Sequence, residues 1–391
     1  MSKKQRSAGE RLLRALGSYQ LAIACLVSLF VLTVFGTLHQ VEHGLYDAKQ
    51  TYFNSFFLWT DLAGVELPYF PGGVLSMGLL TLNLMVGGIL RIRWTTRNAG
   101  VIVIHFGIVF LLVSGLVKLT TAAEGHLSLM EGDSQSYFKS HNRLEVAVWE
   151  VAGEGDPYEL LIPDELIKDL EGSGRRTFTS ERLPFDLVLT GFVENCDVLA
   201  KGPMWEATGE VIDGYGIRKL PSEVEAERNL GGLHAEVLVD GKSQRAILHA
   251  AQRAPWVFFA GGRRWAVDLR HEQYPMPYEI TLDRFEKEDH PGIVMAKAFR
   301  SYVTRTDERG DEKILIQMNE PLRDGGLVLF QSSWGPSDAG PEGPFFSVFS
   351  VVRNPSDKWP EYSLWVITAG LLMTFVQSLL RFTKKQLSPA S

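Results

Sequence analysis

The chain has 391 residues, 45% of them hydrophobic and 22% charged, with a net charge of −7 and two cysteines, which are the averages of a soluble protein. Those averages conceal four runs without a single Asp, Glu, Lys or Arg: Leu21–Leu38, Gly72–Leu90, Ala99–Val117 and Tyr362–Leu380. Roughly 20 uncharged, mainly apolar residues match the ~30 Å hydrocarbon core of a bilayer, so a plain soluble enzyme is excluded, as are a disordered chain, a collagen and a disulfide-stapled mini-protein.

Residues 1–18 carry Lys3, Lys4, Arg6, Arg11 and Arg14 against Glu10. The link between the second and third runs carries Arg91, Arg93 and Arg97, and the tail carries Arg381, Lys384 and Lys385, so these short flanks together hold a net +10 and the rest of the chain −17. Short loops rich in Lys and Arg stay on the cytoplasmic side. The predicted order is a cytoplasmic start (1–18), a first span (19–38), an outer loop (39–71), a second span (72–90), a cytoplasmic link (91–98) and a third span (99–117). A large outer domain (118–361), a fourth span (362–380) and a cytoplasmic tail (381–391) complete it. Trp94 at the inner boundary and Trp359, Tyr362 and Trp365 at the outer one suit interfacial aromatic belts. A cleavable signal peptide is the competing reading of residues 1–38. Against it, the run is long, and His39-Gln40-Val41-Glu42-His43 follows it in place of a small-x-small site.

His39 and His43 close the first span. At i, i+4 on a continuing helix they share a face and could hold a metal ion such as zinc; the bland reading is a solvated interfacial pair. Tyr52–Trp59, with Phe53, Phe56 and Phe57, is expected to form an interfacial helix, with docking to another membrane protein as the sharper alternative. His105 is the seventh residue of the third span. At ~1.5 Å per residue it lies on the order of 10 Å inside the hydrocarbon region. Ionisable groups at that depth usually face a protein interior, a partner or a cofactor, and the low dielectric favours the neutral imidazole that can ligate a metal. The alternative is an interhelical hydrogen bond to Asn83 or Ser76. Gly100, Gly107 and Gly115 in this span, with Gly78, Gly87 and Gly88 in the second, permit close approach of helices or of a flat ligand.

From about Glu124 short alternating segments separated by turn residues predict antiparallel strands with one buried face: Leu144–Trp149, Phe185–Phe192, Ala235–Val239, Trp256–Phe259, Arg264–Leu269, Tyr278–Leu282 and Leu327–Gln331. Asp240-Gly241 predicts a hairpin turn, and Pro163–Arg175 reads as a helix that stops at Gly172-Ser173-Gly174. Leu183–Phe192 and Met276–Phe285 share one pattern, proline, aromatic, acid, then alternating apolar residues ending in Phe, which predicts an internal duplication at an offset of 93 residues. The remaining histidines, 126, 141, 234, 249, 271 and 290, are expected to be ordinary surface or turn residues. Cys25 and Cys196 form no C-x-x-C or C-x-x-C-H, and no P-loop, Rossmann fingerprint, H-E-x-x-H or G-x-S-x-G occurs, so no catalytic residue is assigned. The expected class is a membrane protein with four transmembrane α-helices and a large β-rich, antiparallel, sandwich-like extracytoplasmic domain between helices three and four.

Three separated stretches carry a family resemblance. The first is Gly36-Thr37-Leu38-His39-Gln40 with Gly44-Leu45-Tyr46 and Tyr52-Phe53; the second runs from Asn83-Leu84 to Arg91 and on to His105 and Gly107. The third is Arg300-Ser301-Tyr302, Met318-Asn319-Glu320-Pro321-Leu322-Arg323, Gly326, Phe330-Gln331-Ser332-Ser333 and Val352-Arg353-Asn354-Pro355 leading into the fourth span. In this order they resemble the ResB family, also called CcsB, of cytochrome c biogenesis proteins. The resemblance implies a subunit of the system II cytochrome c synthetase in the bacterial inner membrane. Such a subunit acts with a ResC/CcsA-like multi-span partner to hold and export haem b and to present it to apocytochrome c, with thiol-reducing proteins as further partners and no nucleic acid. It also implies that His105 is an axial haem ligand. His39 departs from the family, which more often has proline before the glutamine. The acidic outer side would attract basic haem proteins by electrostatic steering. The rival reading, from another class, is a structural membrane scaffold whose β-rich domain positions partners without touching haem.

Overall fold

The computed structural model describes residues 8–62, 64–151, 158–202, 209–239, 241–290, 296–335 and 345–387. These fall into two units, one of helices built from residues 1–122 and 354–391 and one of strands, Ala123–Arg353.

In the helical unit α1 (Ala8–Leu16) leads into α2 (Tyr19–Ala48), whose first turn is capped by Ser18, its hydroxyl accepting the Leu21 N–H at 3.3 Å. The helix does not stop near Leu38: it bends at Gly44, where φ is +82°, and continues through a π-helical turn, Lys49–Phe53. Phe53 folds back onto α2 at Gly36, where a Cβ would come within 2.9 Å of the ring. The aromatic stretch expected as an interfacial helix is split. Its start completes this π turn, and its end forms a hairpin, β1 (Phe57–Leu62) paired with β2 (Val65–Pro71). Trp59, Leu62, Val65 and Tyr69 of that hairpin are exposed. The strand-favouring aromatics Phe57 and Trp59, with Leu58 alone buried between them, and the Pro68 and Pro71 that follow favour strands over a helix.

The second apolar stretch begins as α3 (Gly73–Asn83) and becomes π-helical over Leu84–Leu90, closed by the Arg91 N–H on the Val86 carbonyl. The third is α4 (Ala99–Thr121), and the last is the final helix, Trp359–Leu387. All four are long and apolar enough to cross a membrane.

Two polar contacts fix α3. Ser76 and Ser28 share a buried hydrogen bond of 2.9 Å, and the Asn83 amide donates to the carbonyls of Leu16 (2.6 Å) and Ser18 (2.8 Å) where α1 ends. α4 and the final helix meet along ladders of small residues repeated every seven positions: Gly100, Gly107 and Ser114 on one, Ser356, Ser363 and Gly370 on and just before the other. The Ser356 hydroxyl donates to the Ser114 carbonyl at 3.0 Å. Without a hydrophobic drive between helices in lipid, such close approach and its van der Waals contact supply the attraction.

The strand unit contains β3 (Ala123–Met130), β4 (Ser134–Glu150), β5 (Glu159–Pro163), β6 (Arg175–Phe178), β7 (Asp186–Val193), β8 (Cys196–Ala200), β9 (Val211–Ile212) and β10 (Tyr215–Lys219). It continues with β11 (Gly232–Val239), β12 (Lys242–His249), β13 (Trp256–Ala260), β14 (Arg263–Asp289), β15 (Ala296–Asp307), β16 (Gly310–Gln317), β17 (Leu322–Asp324), β18 (Leu327–Gly335) and β19 (Phe346–Arg353). All the strand pairings are antiparallel. The large sheet runs β16-β15-β14-β4-β3-β19-β18-β17, with β13 and β5 added; a second runs β12-β11-β7-β6 and a third β8-β10-β9. The large sheet curls until it nearly closes: the Ser301 hydroxyl on β15 reaches Gln331 on β18 (2.6 Å) and Ser347 on β19 (2.9 Å), and Arg305 on β15 pairs with Asp324 on β17.

Two hydrophobic cores result. One lies between the second sheet and the ends of β4 and β14 that carry Val146, Val148, Val267 and Leu269; the other fills the curl around Phe138, Ile280, Leu282, Val303, Leu329 and Phe349. β4 and β14 thus serve both cores, sandwich-like at one end and barrel-like at the other. The two segments expected from a duplication occupy matching places. Phe185, Leu187, Leu189 and Phe192 are buried in the first core, and Tyr278, Ile280, Leu282 and Phe285 in the second. Each also bears a register shift near its final Phe, between Thr190 and Val193 in β7 and between Leu282 and Arg284 in β14. The segments Arg264–Leu269 and Tyr278–Leu282, read as separate strands, belong to the single strand β14. Pro275 and Pro277 are accommodated where its register against β4 shifts. The helix expected over Pro163–Arg175 is confined to Asp164–Lys168. Of the expected turn, Asp240 lies outside the described residues, and Gly241 has φ +75°.

Candidate functional site

His105 projects from α4 on the side away from the small-residue ladder, since two residues along a helix from Gly107 is about 200° of rotation. Its Nδ1 lies 2.7 Å from the Val101 carbonyl, one turn back. A carbonyl can only accept, so Nδ1 carries a proton, and in the neutral ring Nε2 is the atom that keeps the lone pair. The hydrogen bonds considered for it from the sequence do not form, because Asn83 is committed to the end of α1 and Ser76 to Ser28. The ring lies instead against Gly88 of the π-helical stretch, where a Cβ would come within 2.2 Å of Cδ2, 2.7 Å of Cγ and 3.0 Å of Nε2. An Nδ1–H fixed on a backbone carbonyl is the arrangement that metal-ligating histidines adopt when Nε2 is the ligating atom.

The glycines divide. Gly100 and Gly107 face the final helix, Gly87 faces Gly17, Gly88 faces His105, and around Gly78 and Gly115 there is open space. His39 and His43 do share a face of α2. Their rings stack in parallel at 4.0 Å, His39 Nε2 donates to the Asp47 carboxylate at 2.7 Å, and His43 Nδ1 lies 3.4 Å from the His39 carbonyl. Among the described residues no group of three His, Cys, Asp or Glu side chains is arranged to hold a metal ion.

Three of the histidines expected to be ordinary surface residues come together in the strand unit. His126 on β3 lies with its ring 5.4 Å from that of His141 on β4 and 6.2 Å from that of His271 on β14, where the two cores adjoin. His141 pairs with Glu227 at 3.4 Å, and Nδ1 of His271 is buried without a hydrogen bond. Burial, reinforced by the neighbouring rings and Lys139, lowers His126 to about 4. Burial likewise lowers His271. No spacing in the sequence announces this cluster, because its members sit on strands brought together only by the sheet. Both cysteines are buried and free; burial and the adjacent Asp197 push the Cys196 thiol up to about 12, so it is inert at neutral pH.

The family model of the ResB-like family matches residues 257–346, from β13 through β18 to the start of β19, consistent with a ResB/CcsB family protein. No curated protein matches the chain.

Proposed function

We propose that the chain is a haem-handling subunit of a system II cytochrome c synthetase, in which His105 is an axial ligand to haem iron within the membrane. The ResB-like match supports a general role in cytochrome c biogenesis. The observation that carries the finer reading is the His105 tautomer: Nδ1–H on the Val101 carbonyl, Nε2 presented as a donor from an apolar helix. Haem is large, flat, apolar and redox-active. A neutral imidazole on a packed helix gives it a fixed point while excluding water, and ligation tunes the iron's redox state.

In this reading the termini are cytoplasmic, the strand unit lies on the opposite side, and a ResC/CcsA-like partner shares export of the haem and its attachment to apocytochrome c. The chain holds and presents haem, and attachment takes place in the complex with that partner. An absorbance spectrum of the purified complex, with and without His105→Ala, tests the assignment. Loss of the Soret band in the variant is expected, and equal Soret intensity in both would overturn the ligand role and leave the scaffold reading.

A further inference from the structure

We infer that Gly88 is a positioning residue for His105, and that the π-helical turn of the second span exists to bring it there. The inference rests on the reading of His105 as a ligand and adds the element that aims it. Three observations converge on it.

First, the stretch Leu84–Leu90 is π-helical throughout. A π turn carries one more residue than an α turn, which rotates the residues beyond it relative to those before, and such turns gather at functional sites. Second, adjacent glycines use that rotation in two directions. Gly87 meets the backbone of Gly17, where a Cβ would stand 3.2 Å from the Gly17 carbonyl oxygen, and Gly88 meets the His105 ring. Third, the contact at Gly88 admits no side chain. Its Cβ would stand 2.2 Å from Cδ2 and 2.7 Å from Cγ of His105. Cγ is the root of the ring and not a flexible end, so the imidazole could only leave by turning about χ1, which breaks the 2.7 Å bond to Val101. That bond fixes the tautomer. Residue 88 therefore controls both where Nε2 points and whether it holds a lone pair, without touching the ligand.

The experiment uses the full chain purified with its membrane partner, carrying Gly88→Ala, His105→Ala, both together, or Gly78→Ala as the control with open space around it. Two readouts are taken: the Soret and visible bands, and, on haem-free protein, the rate at which diethyl pyrocarbonate modifies His105, followed by peptide mass. Gly88→Ala is expected to lower haem retention about tenfold or more, as loss of a ligand-orienting contact does, and to change the modification rate, whereas Gly78→Ala matches the parent. In the His105→Ala background Gly88→Ala should change the spectrum no further, which separates positioning from a general effect on folding. If Gly88→Ala does not accumulate, accumulation of the double variant supports the inference, because deleting the ring removes the clash; failure of both overturns it. Unchanged modification and spectrum in Gly88→Ala also overturn it. Were His105→Ala alone to leave the Soret band intact, the ligand reading would fall while the modification rate still decided the role of Gly88.

Discussion

Acidification should destabilise the strand unit through His126, at a pH above that at which carboxylates begin to protonate. The folded pKa is depressed to about 4 from an ordinary 6.5 by burial between His141 and His271 and by Lys139. Above the unfolded value both states are neutral and stability is full. As pH falls from 6.5 towards 4 the unfolded chain takes up a proton that the folded chain refuses, so stability is lost through that window and the loss levels off below it. Discounted for the solvent that still reaches the ring, the loss between about pH 7 and pH 5 is on the order of 1 kcal/mol, and the lowered pKa of His271 acts in the same direction. The carboxyl of Glu165, held below its usual range chiefly by a hydrogen bond from Arg143, contributes only at lower pH. The assay is denaturant unfolding of the full chain at a series of pH values, with His126→Gln beside the parent. The parent midpoint should fall steeply between pH 7 and 5 and the variant's far less. Parallel pH profiles for the two proteins would refute the argument.

Gly107→Leu should separate α4 from the final helix, since even a Cβ there stands 2.6 Å from Ile367 and 3.2 Å from the Ser363 carbonyl. A cost of about 1–3 kcal/mol is expected, read as a lower thermal midpoint in detergent, while Gly115→Ala, which meets nothing within 4 Å, should not lower it. The Cys196 thiol should resist iodoacetamide at pH 8 in the native protein and react once denaturant opens the strand unit, because burial holds it up to about 12; rapid native alkylation, detected by peptide mass, would contradict its placement. Asn83→Leu should cost about 1–3 kcal/mol, chiefly by leaving the Leu16 carbonyl without its Asn83 donor, since the Ser18 carbonyl keeps the Ala22 N–H, measured as the same thermal midpoint.

The four helices long and apolar enough to cross a membrane were legible because a charge-free run is a local property, and so was much of the strand unit, because alternation with period two survives in Leu144–Trp149 or Phe185–Phe192 whatever they pair with. Signals that depend on context were misread. The prolines at 275 and 277 look like a break between strands, yet β14 runs through them because a shift of register against β4 absorbs the missing donors. The aromatic run at 52–59 has a composition that suits a helix or a strand at an interface, and only the π turn that ends α2 shows where one gives way to the other. His105 stood out as the sole histidine in the charge-free runs. Its neighbours did not: Ser76 and Asn83 are taken by Ser28 and by the end of α1, and the contact at Gly88 depends on the π turn, which changes the phase of the residues after Leu84.

That change of phase joins the two kinds of glycine contact into one device. On one side of α4 the ladder Gly100, Gly107, Ser114 is locked to the final helix at backbone distance, so the helix axis has little freedom to shift. On the other side His105 is held by its own backbone at Val101 and by the bare backbone at Gly88. A ligand on an imidazole with a fixed axis, a fixed tautomer and a fixed rotamer has its position set by the fold and not by the ligand itself. Loosening the ladder should therefore weaken haem retention even though none of its residues lies near His105 Nε2. Gly107→Leu supplies that test as well: a Soret band undiminished in a variant whose thermal midpoint has fallen would mean that the site tolerates movement of its supporting helix.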